Sequence, residues 1–200
     1  MIKDKMTIKD IVTAAIMMAL FYGLSFVIGM STVTFPILYL YGTAGLEMFL
    51  GAVFYLVAAH RINKHGLLFL WVMIYAGITA AMGYTFMVPY FIAVAVISEA
   101  TMIGKDTYRN PVRNIIGWST YGIGMFLGIG VPCWIAWESY KQQALESGFA
   151  DATVKLQYDM VSSPLLILIG TIITVALSVA GILSAQRILK KHFQKAGILD

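Results

Sequence analysis

Glu47 is one of only two acidic residues that fall within the long apolar stretches of this 200-residue sequence, the other being Glu99. At helical spacing, Glu47 shares a face with Thr43 and with small residues. An ionisable side chain in an apolar helix usually faces the protein interior or a water-filled cavity, where it serves a ligand or an ion. Glu47 is therefore a candidate ligand-binding carboxylate. The alternative is a structural carboxylate that is hydrogen-bonded to a neighbouring hydroxyl.

Other residues that could support catalysis are scarce. The histidines do not have the spacing of a metal site, and one cysteine excludes both an intramolecular disulfide and a multi-cysteine site. A glycine-rich phosphate loop with a Walker lysine is missing, so the chain is not itself an ATPase. Glu99 is expected to pair with one of the basic residues that follow it, which are Lys105, Arg109 and Arg113. We therefore expect no enzymatic activity, no cofactor and no resident metal.

The composition indicates a membrane protein. Hydrophobic residues make up 60% of the chain and charged residues 12%, whereas about a quarter of the residues of a soluble domain are charged. A spanning helix needs about 20 apolar residues. Six such segments follow one another, at about 11–30, 40–59, 67–82, 84–103, 115–137 and 164–188. We predict an all-α integral membrane protein, in which residues 1–200 form a single membrane domain with a six-transmembrane-helix bundle.

The first apolar segment resembles a signal peptide because lysines precede it. It is longer than a typical signal core and is not followed by a clear small-residue cleavage site, which favours a retained helix.

The basic residues predict the orientation of the bundle. With six spans, twelve of the 14 Lys and Arg residues lie on the side that carries both termini, and only Lys141 and Lys155 lie on the other side. Basic residues near helix ends are retained in the cytoplasm. We therefore predict that the N and C termini are both cytoplasmic. The same bias accounts for the net charge of +4, so nucleic acid is not implied as a partner.

Ala15 and Ala19 form a small-xxx-small pattern in the first span, on one stripe with Val12, Tyr22 and Phe26. Small residues at this spacing allow another helix to approach closely. The stripe serves either ordinary packing inside the bundle or the docking of a second membrane protein.

A candidate binding region lies toward the predicted outer ends of spans two, four and five. In the fifth span, aromatic, thioether and small side chains share one stripe, which is typical either of a wall against a flat ligand or of close helix packing. Residues 138–160 have helical character and mixed charge, and they either cap this region or merely connect two spans. The predicted substrate-binding residues are Tyr41, Glu47, Tyr84, Met87, Tyr90, Tyr121, Met125 and Gly128.

Length, six spans, cytoplasmic termini and the Ala15/Ala19 pattern together resemble the substrate-binding S component of an energy-coupling-factor (ECF) transporter. Within that group the chain is similar to the Trep_Strep (MptD-like) family over essentially its whole length. The resemblance implies a multi-pass protein of the bacterial cytoplasmic membrane that captures a micronutrient from outside. It also implies three partners, a transmembrane coupling protein (the T component) and two cytoplasmic ATPases, with Ala15 and Ala19 docking on the coupling protein.

The resemblance leaves the substrate open. Relatives of this subgroup are associated with haem import, so haem or another tetrapyrrole is one candidate and a vitamin is the other. Haem iron commonly takes an axial histidine, and the predicted outer side has none. Metal-ion import is disfavoured because the N-terminal histidine usual in that class is missing. The alternative functions are a small secondary transporter that acts alone and a non-enzymatic membrane assembly subunit.

Overall fold

The computed structural model describes residues 6–193, and these residues form helices and no strands. The all-α prediction is confirmed for this part of the chain. Short 3-10 turns occupy Thr85–Met87 and Thr107–Arg109, and a π-helical turn occupies Leu189–Phe193. The helices are α1 (Ile8–Thr32), α2 (Pro36–Ile62), α3 (Leu67–Ala81), α4 (Val88–Ala100), α5 (Pro111–Gly128), α6 (Val131–Ile135), α7 (Trp137–Glu146), α8 (Asp151–Ser162) and α9 (Pro164–Ile188).

Local sequence signals account for where the long helices begin. Thr7 and Asp10 form a reciprocal capping box at the start of α1. The helices α2, α4, α5 and α9 each have proline in the first turn, where the missing N–H costs nothing. The side chain of Asn110 caps α5 by accepting hydrogen bonds from the amides of Val112 and Arg113.

Three described helices are long and apolar enough to cross a membrane, namely Ile8–Thr32, Pro36–Ile62 and Pro164–Lys191. They coincide with the first, second and last predicted spans. Two further apolar helices, Leu67–Ala81 and Thr85–Ala100, are shorter. The fifth predicted span differs from the structure, because α5 begins at Pro111, ends at Gly128 and is followed by the separate helix α6. Pro132 lacks the N–H that would continue the ladder to Gly128, so the helix breaks there.

The bundle is organised around α2, which packs against α1, α5 and α9, while α4 packs against α3 and α5. The closest approach is between α2 and α9, where Gly181 lies directly on the backbone of Phe49. The Trp118 indole of α5 donates a hydrogen bond to the Met48 carbonyl of α2 at 2.8 Å. Trp118 also stacks on Tyr55 with ring centroids 4.5 Å apart. Small residues and aromatic rings thus set the spacing of the central helices.

Polar contacts join the loops at one end of the bundle. Lys64 pairs with Asp10 at 2.6 Å, which ties the α2–α3 connection to the start of α1. The Asn63 side chain donates to Asp106 at 2.6 Å, which ties the same connection to the loop before α5. Six of the 11 Lys and Arg residues in the described chain lie in these connections or in the adjoining helix ends, namely Lys9, Arg61, Lys64, Lys105, Arg109 and Arg113.

Glu99 caps the start of α3 and does not pair with Lys105, Arg109 or Arg113 as the sequence suggested. Its carboxylate accepts hydrogen bonds from the amides of Gly66 at 2.8 Å and Phe69 at 3.1 Å, and from the Tyr108 hydroxyl at 2.6 Å. The amides at a helix start have no partner within the helix and attract a carboxylate, while Arg109 and Arg113 donate to the carbonyls of His60 and Thr101 instead.

Tyr108 supports this cap as a neutral donor. Burial, together with the nearby Tyr55 and Glu99, holds the pKa of Tyr108 well above its usual range. Its oxygen also accepts a hydrogen bond from the Leu68 amide at 3.0 Å.

Replacing Glu99 by alanine should expose the start of α3. The amides of Gly66 and Phe69 lose their acceptor, and we expect the free energy of unfolding to fall by about 1–3 kcal/mol. Hydrogen exchange at these two amides should accelerate in the variant. Glu146→Ala, on the exposed end of α7, is the matched control. Equal exchange in both variants would contradict the capping role.

Candidate functional site

A cavity of about 400 Å³ lies between α1, α2 and α3, at the end of the bundle opposite the Glu99 cap. Ligand pockets commonly have volumes of roughly 300–1,000 Å³, so the cavity has the size of a small-molecule site. The second half of α1, the first half of α2 and the second half of α3 supply most of its walls. Its lining residues are Tyr22, Ser25, Phe26, Gly29, Met30, Val33, Tyr39, Thr43, Ala44, Glu47, Tyr75, Ile78, Met82, Met125, Ile129 and Phe149.

Two pairs of aromatic rings line the cavity. Tyr22 of α1 and Tyr75 of α3 stack with centroids 5.8 Å apart and planes inclined by 26°. Tyr39 of α2 lies 5.9 Å from Phe149. The Tyr22 hydroxyl donates to the carbonyl of Trp71, which anchors that ring to α3. The walls are therefore aromatic and are contributed by separate segments of the chain.

Phe149 belongs to the connection between α7 and α8, within the segment 138–160. Its ring lines the cavity and contacts Tyr39 of α2. This part of the segment therefore covers the cavity, which favours the cap over a plain connection.

Glu47 contributes an unpaired acidic group to the cavity. The residue is 7% exposed, and within residues 6–193 its carboxyl group has neither a hydrogen bond nor an ion pair. The Thr43 hydroxyl, one turn away, is instead paired with the Thr32 hydroxyl at 2.7 Å. The structural alternative, a carboxylate held by a neighbouring hydroxyl, is therefore not observed in the described chain.

Ser25 is a second polar group of the cavity that has no protein partner. The residue is 8% exposed, and its Oγ is buried without a hydrogen bond in the described chain. Buried polar groups are normally hydrogen-bonded. Ser25 and Glu47 thus both have hydrogen-bonding capacity that the described protein does not use.

Helical periodicity explains how three segments present these side chains to one space. On α2, Tyr39, Thr43 and Glu47 are four residues apart and lie on one face. Tyr22, Ser25 and Gly29 are spaced by three and four residues on one face of α1. Tyr75 and Ile78 are three residues apart on α3, and Met82 follows directly after that helix.

The structure brings two of the eight predicted binding residues, Glu47 and Met125, to this cavity. The other six lie elsewhere. Tyr121 is fully buried in the aromatic core and Met87 is buried among apolar residues, while Tyr41 and Tyr84 are half-buried outside the lining. The Tyr90 hydroxyl donates to the Gly124 carbonyl at 2.7 Å. Gly128 packs on Tyr90 and Phe91, so that an added Cβ would lie 3.4 and 3.3 Å from their rings.

The glycine stripe of α5 therefore serves close packing on α4 in this structure, where Gly124 lies on Val94 and Gly128 lies on Phe91. The cavity is formed by spans one, two and three, with the end of α5, and not by spans two, four and five. Sequence reasoning missed Ser25, Tyr75 and Phe149. The repeated polar and aromatic positions along one face of α1 and of α3 were the available signal.

Ala15 and Ala19 lie on an exposed face of α1, together with Gly23 four residues later. A Cβ added at Gly23 would meet no atom within 4 Å. The face of α1 that packs inside the bundle is formed instead by Ala14, Met18 and Phe21. Packing of Ala15 and Ala19 inside the bundle is thus not observed.

Comparison with known proteins agrees with this helical, apolar architecture. The sequence model of a family described as hypothetical bacterial integral membrane protein (Trep_Strep) matches residues 8–195. The chain belongs to the Trep_Strep family. The membership inferred from the sequence is confirmed, and with it the assignment to bacterial integral membrane proteins. No curated protein and no solved structure was found to match.

Proposed function

We propose that this Trep_Strep protein is the S component of an ECF-type importer, which captures a micronutrient in the cavity between α1, α2 and α3. The observation that carries the proposal is that cavity, with its aromatic walls and the unpaired Glu47. A polar group without a protein partner in an otherwise apolar pocket is typical of a site that orients a ligand. Binding is assigned to this protein, and ATP hydrolysis is assigned to two cytoplasmic ATPases that act through a coupling protein.

The proposed topology has six spans, α1–α5 and α9, in the bacterial cytoplasmic membrane, with both termini in the cytoplasm. The end of the bundle at which Lys64, Asp10 and Asp106 meet is also its basic end. Because basic ends are retained in the cytoplasm, the cavity at the other end faces outward. A site that opens outward suits a subunit that captures its substrate before import.

Cysteine labelling tests this topology. In a Cys133→Ser background, a cysteine at exposed Arg61 should react with a membrane-impermeant maleimide only after the cells are opened. A cysteine at exposed Ser147 should react in intact cells. Labelling of both positions from the same side would contradict the six-span arrangement.

The exposed small-residue stripe of Ala15, Ala19 and Gly23 supports docking to a second membrane protein. Helices associate in lipid mainly through close packing, and small residues let two backbones approach. In the proposed mechanism, this stripe contacts the coupling protein. Reshaping of that partner by ATP hydrolysis then reorients the whole bundle and releases the substrate inward.

The cavity bears on the choice between haem and a vitamin. Its lining offers Met30, Met82, Met125 and tyrosines as possible ligands for haem iron, and it contains no histidine or cysteine. Met87, Met160 and Cys133 are buried outside the cavity. A vitamin-sized molecule fits the volume and the aromatic walls better than a tetrapyrrole does.

Co-purification tests the function. When the protein is expressed with the coupling protein and the two ATPases of its host, we expect the four proteins to elute as one complex. Mass spectrometry of the purified subunit should identify a bound small molecule. Uptake by vesicles that contain this protein alone, driven by an ion gradient, would instead support a secondary transporter.

A further inference from the structure

We infer that the molecule bound in the cavity is an organic cation, namely an aromatic or similarly apolar body that carries an ammonium or protonated amine group. This inference rests on the proposed function and names the substrate class of the same site. Three independent features of the lining lead to it, which are its charge balance, its aromatic walls and its polar acceptors.

The charge balance of the cavity is the first feature. Among the lining residues of the described chain (residues 6–193), Glu47 is the one acid, and none is lysine, arginine or histidine. A buried carboxylate without a partner is costly, and buried charges in proteins are normally paired with an opposite charge. Since the described protein supplies no cation at this carboxylate, a cationic ligand group is the partner that fits. An anionic ligand would instead add a second like charge to a low-dielectric space.

The aromatic walls are the second feature. Tyr22, Tyr39, Tyr75 and Phe149 reach the cavity from α1, α2, α3 and the α7–α8 connection, respectively. The faces of such rings attract ammonium groups electrostatically, and cages of several rings are a common means of recognising them. A cavity lined by these rings and by one carboxylate thus offers an organic cation cation–π contacts in addition to an ion pair.

The polar acceptors are the third feature, and they distinguish an organic cation from a metal ion. A hard metal ion needs six or more oxygen ligands, but the cavity offers one carboxylate among apolar and aromatic side chains. Ser25 is a further polar residue of the lining, and its Oγ has no hydrogen-bond partner in the described chain. A polar, charged head on an apolar body matches this distribution.

Binding of simple charged probes to the purified protein in lipid nanodiscs tests the inference. The probes are phenyltrimethylammonium, neutral benzyl alcohol and anionic benzoate, which share a phenyl ring and differ in charge. We expect phenyltrimethylammonium to bind wild type at least about tenfold more tightly than either of the others. Isothermal titration calorimetry measures all three.

Substitutions test whether the Glu47 carboxylate is the group that binds the cationic probe. Glu47→Gln keeps the shape of the side chain and should weaken phenyltrimethylammonium binding by at least about tenfold. Glu138→Gln, at an exposed position on α7, should bind like wild type. Tyr75→Leu should also weaken binding, while Tyr75→Phe keeps the aromatic face and should retain it. Circular dichroism and gel filtration verify that each variant is folded.

Two results would overturn the inference: tighter binding of benzoate or benzyl alcohol than of the cation, and undiminished cation binding by Glu47→Gln. Absence of cation binding by wild type overturns it as well. These results are distinguishable from failure of the proposed function. If the coupling complex assembles but the cation does not bind, the substrate class alone is wrong. If the cation binds through Glu47 but no coupling protein co-purifies, the importer function alone is wrong.

Discussion

Replacing Ala19 by tryptophan should abolish substrate uptake by the proposed importer while leaving ligand binding by the isolated subunit close to that of wild type. Ala19 lies with Ala15 and Gly23 on an exposed face of α1, away from the buried face that contacts α2. A large side chain there holds a partner helix away, and close packing is what drives helix association in lipid. Ala15→Trp should have the same effect. Uptake in cells, together with calorimetry on the purified subunit, checks both parts of the result.

The control for this substitution is Ala176→Trp, which places the same side chain at an exposed position on α9. We expect normal uptake by this variant, because its environment is lipid in the proposed complex. Loss of ligand binding by Ala19→Trp would mean that the alanine supports the fold of the subunit itself. Normal uptake by Ala19→Trp would remove α1 from the proposed docking surface.

Replacing Gly181 by alanine should separate α2 from α9 and destabilise the bundle. A Cβ at Gly181 would lie 2.7 Å from both the Cα and the carbonyl oxygen of Phe49, and 2.9 Å from the Met48 carbonyl oxygen. Backbone atoms cannot rotate away, so the helices themselves must move. We expect the free energy of unfolding to fall by about 2 kcal/mol or more. Titration with a denaturing detergent, followed by circular dichroism, measures this change.

Two other helical glycines provide a graded comparison. At Gly45 an added Cβ would meet the end of the Leu177 side chain, which can change rotamer, so Gly45→Ala should cost less. At Gly77 it would meet no atom within 4 Å, so Gly77→Ala should be nearly neutral. Equal stability of Gly181→Ala and Gly77→Ala would contradict the close approach of α2 and α9.

Gly181 also affects the cavity indirectly, because α2 carries Glu47 and Tyr39. A shift of α2 away from α9 would move these side chains relative to α1 and α3. We therefore expect Gly181→Ala to weaken ligand binding in proportion to its effect on stability, whereas Glu47→Gln should weaken binding with little change in stability.

Much of the membrane architecture could be predicted from the sequence because hydropathy and helical spacing are local properties. An apolar stretch of sufficient length is expected to be a helix in lipid whatever its neighbours are. Thus α1, α2 and α9 coincide with predicted spans. Glu47 and Thr43 share a face of α2 because they are four residues apart. The shared stripe of Ala15 and Ala19 followed in the same way from spacing, whereas its exposure was decided by the tertiary structure.

The tertiary structure decided which helices face Glu47 and which side chains complete the site. A glycine-rich helix face suits either a ligand or another helix, and only the position of α4 shows that Gly128 packs against Tyr90 and Phe91. Phe149 reaches the cavity from a connection more than 100 residues beyond Glu47 in the sequence. Such neighbours depend on the packing of all the helices together. Small residues and aromatic rings determine which helices pack against each other. For that reason the sequence determined the class of protein and its acidic group, whereas the arrangement of α1, α2 and α3 within the bundle determined the cavity that contains it.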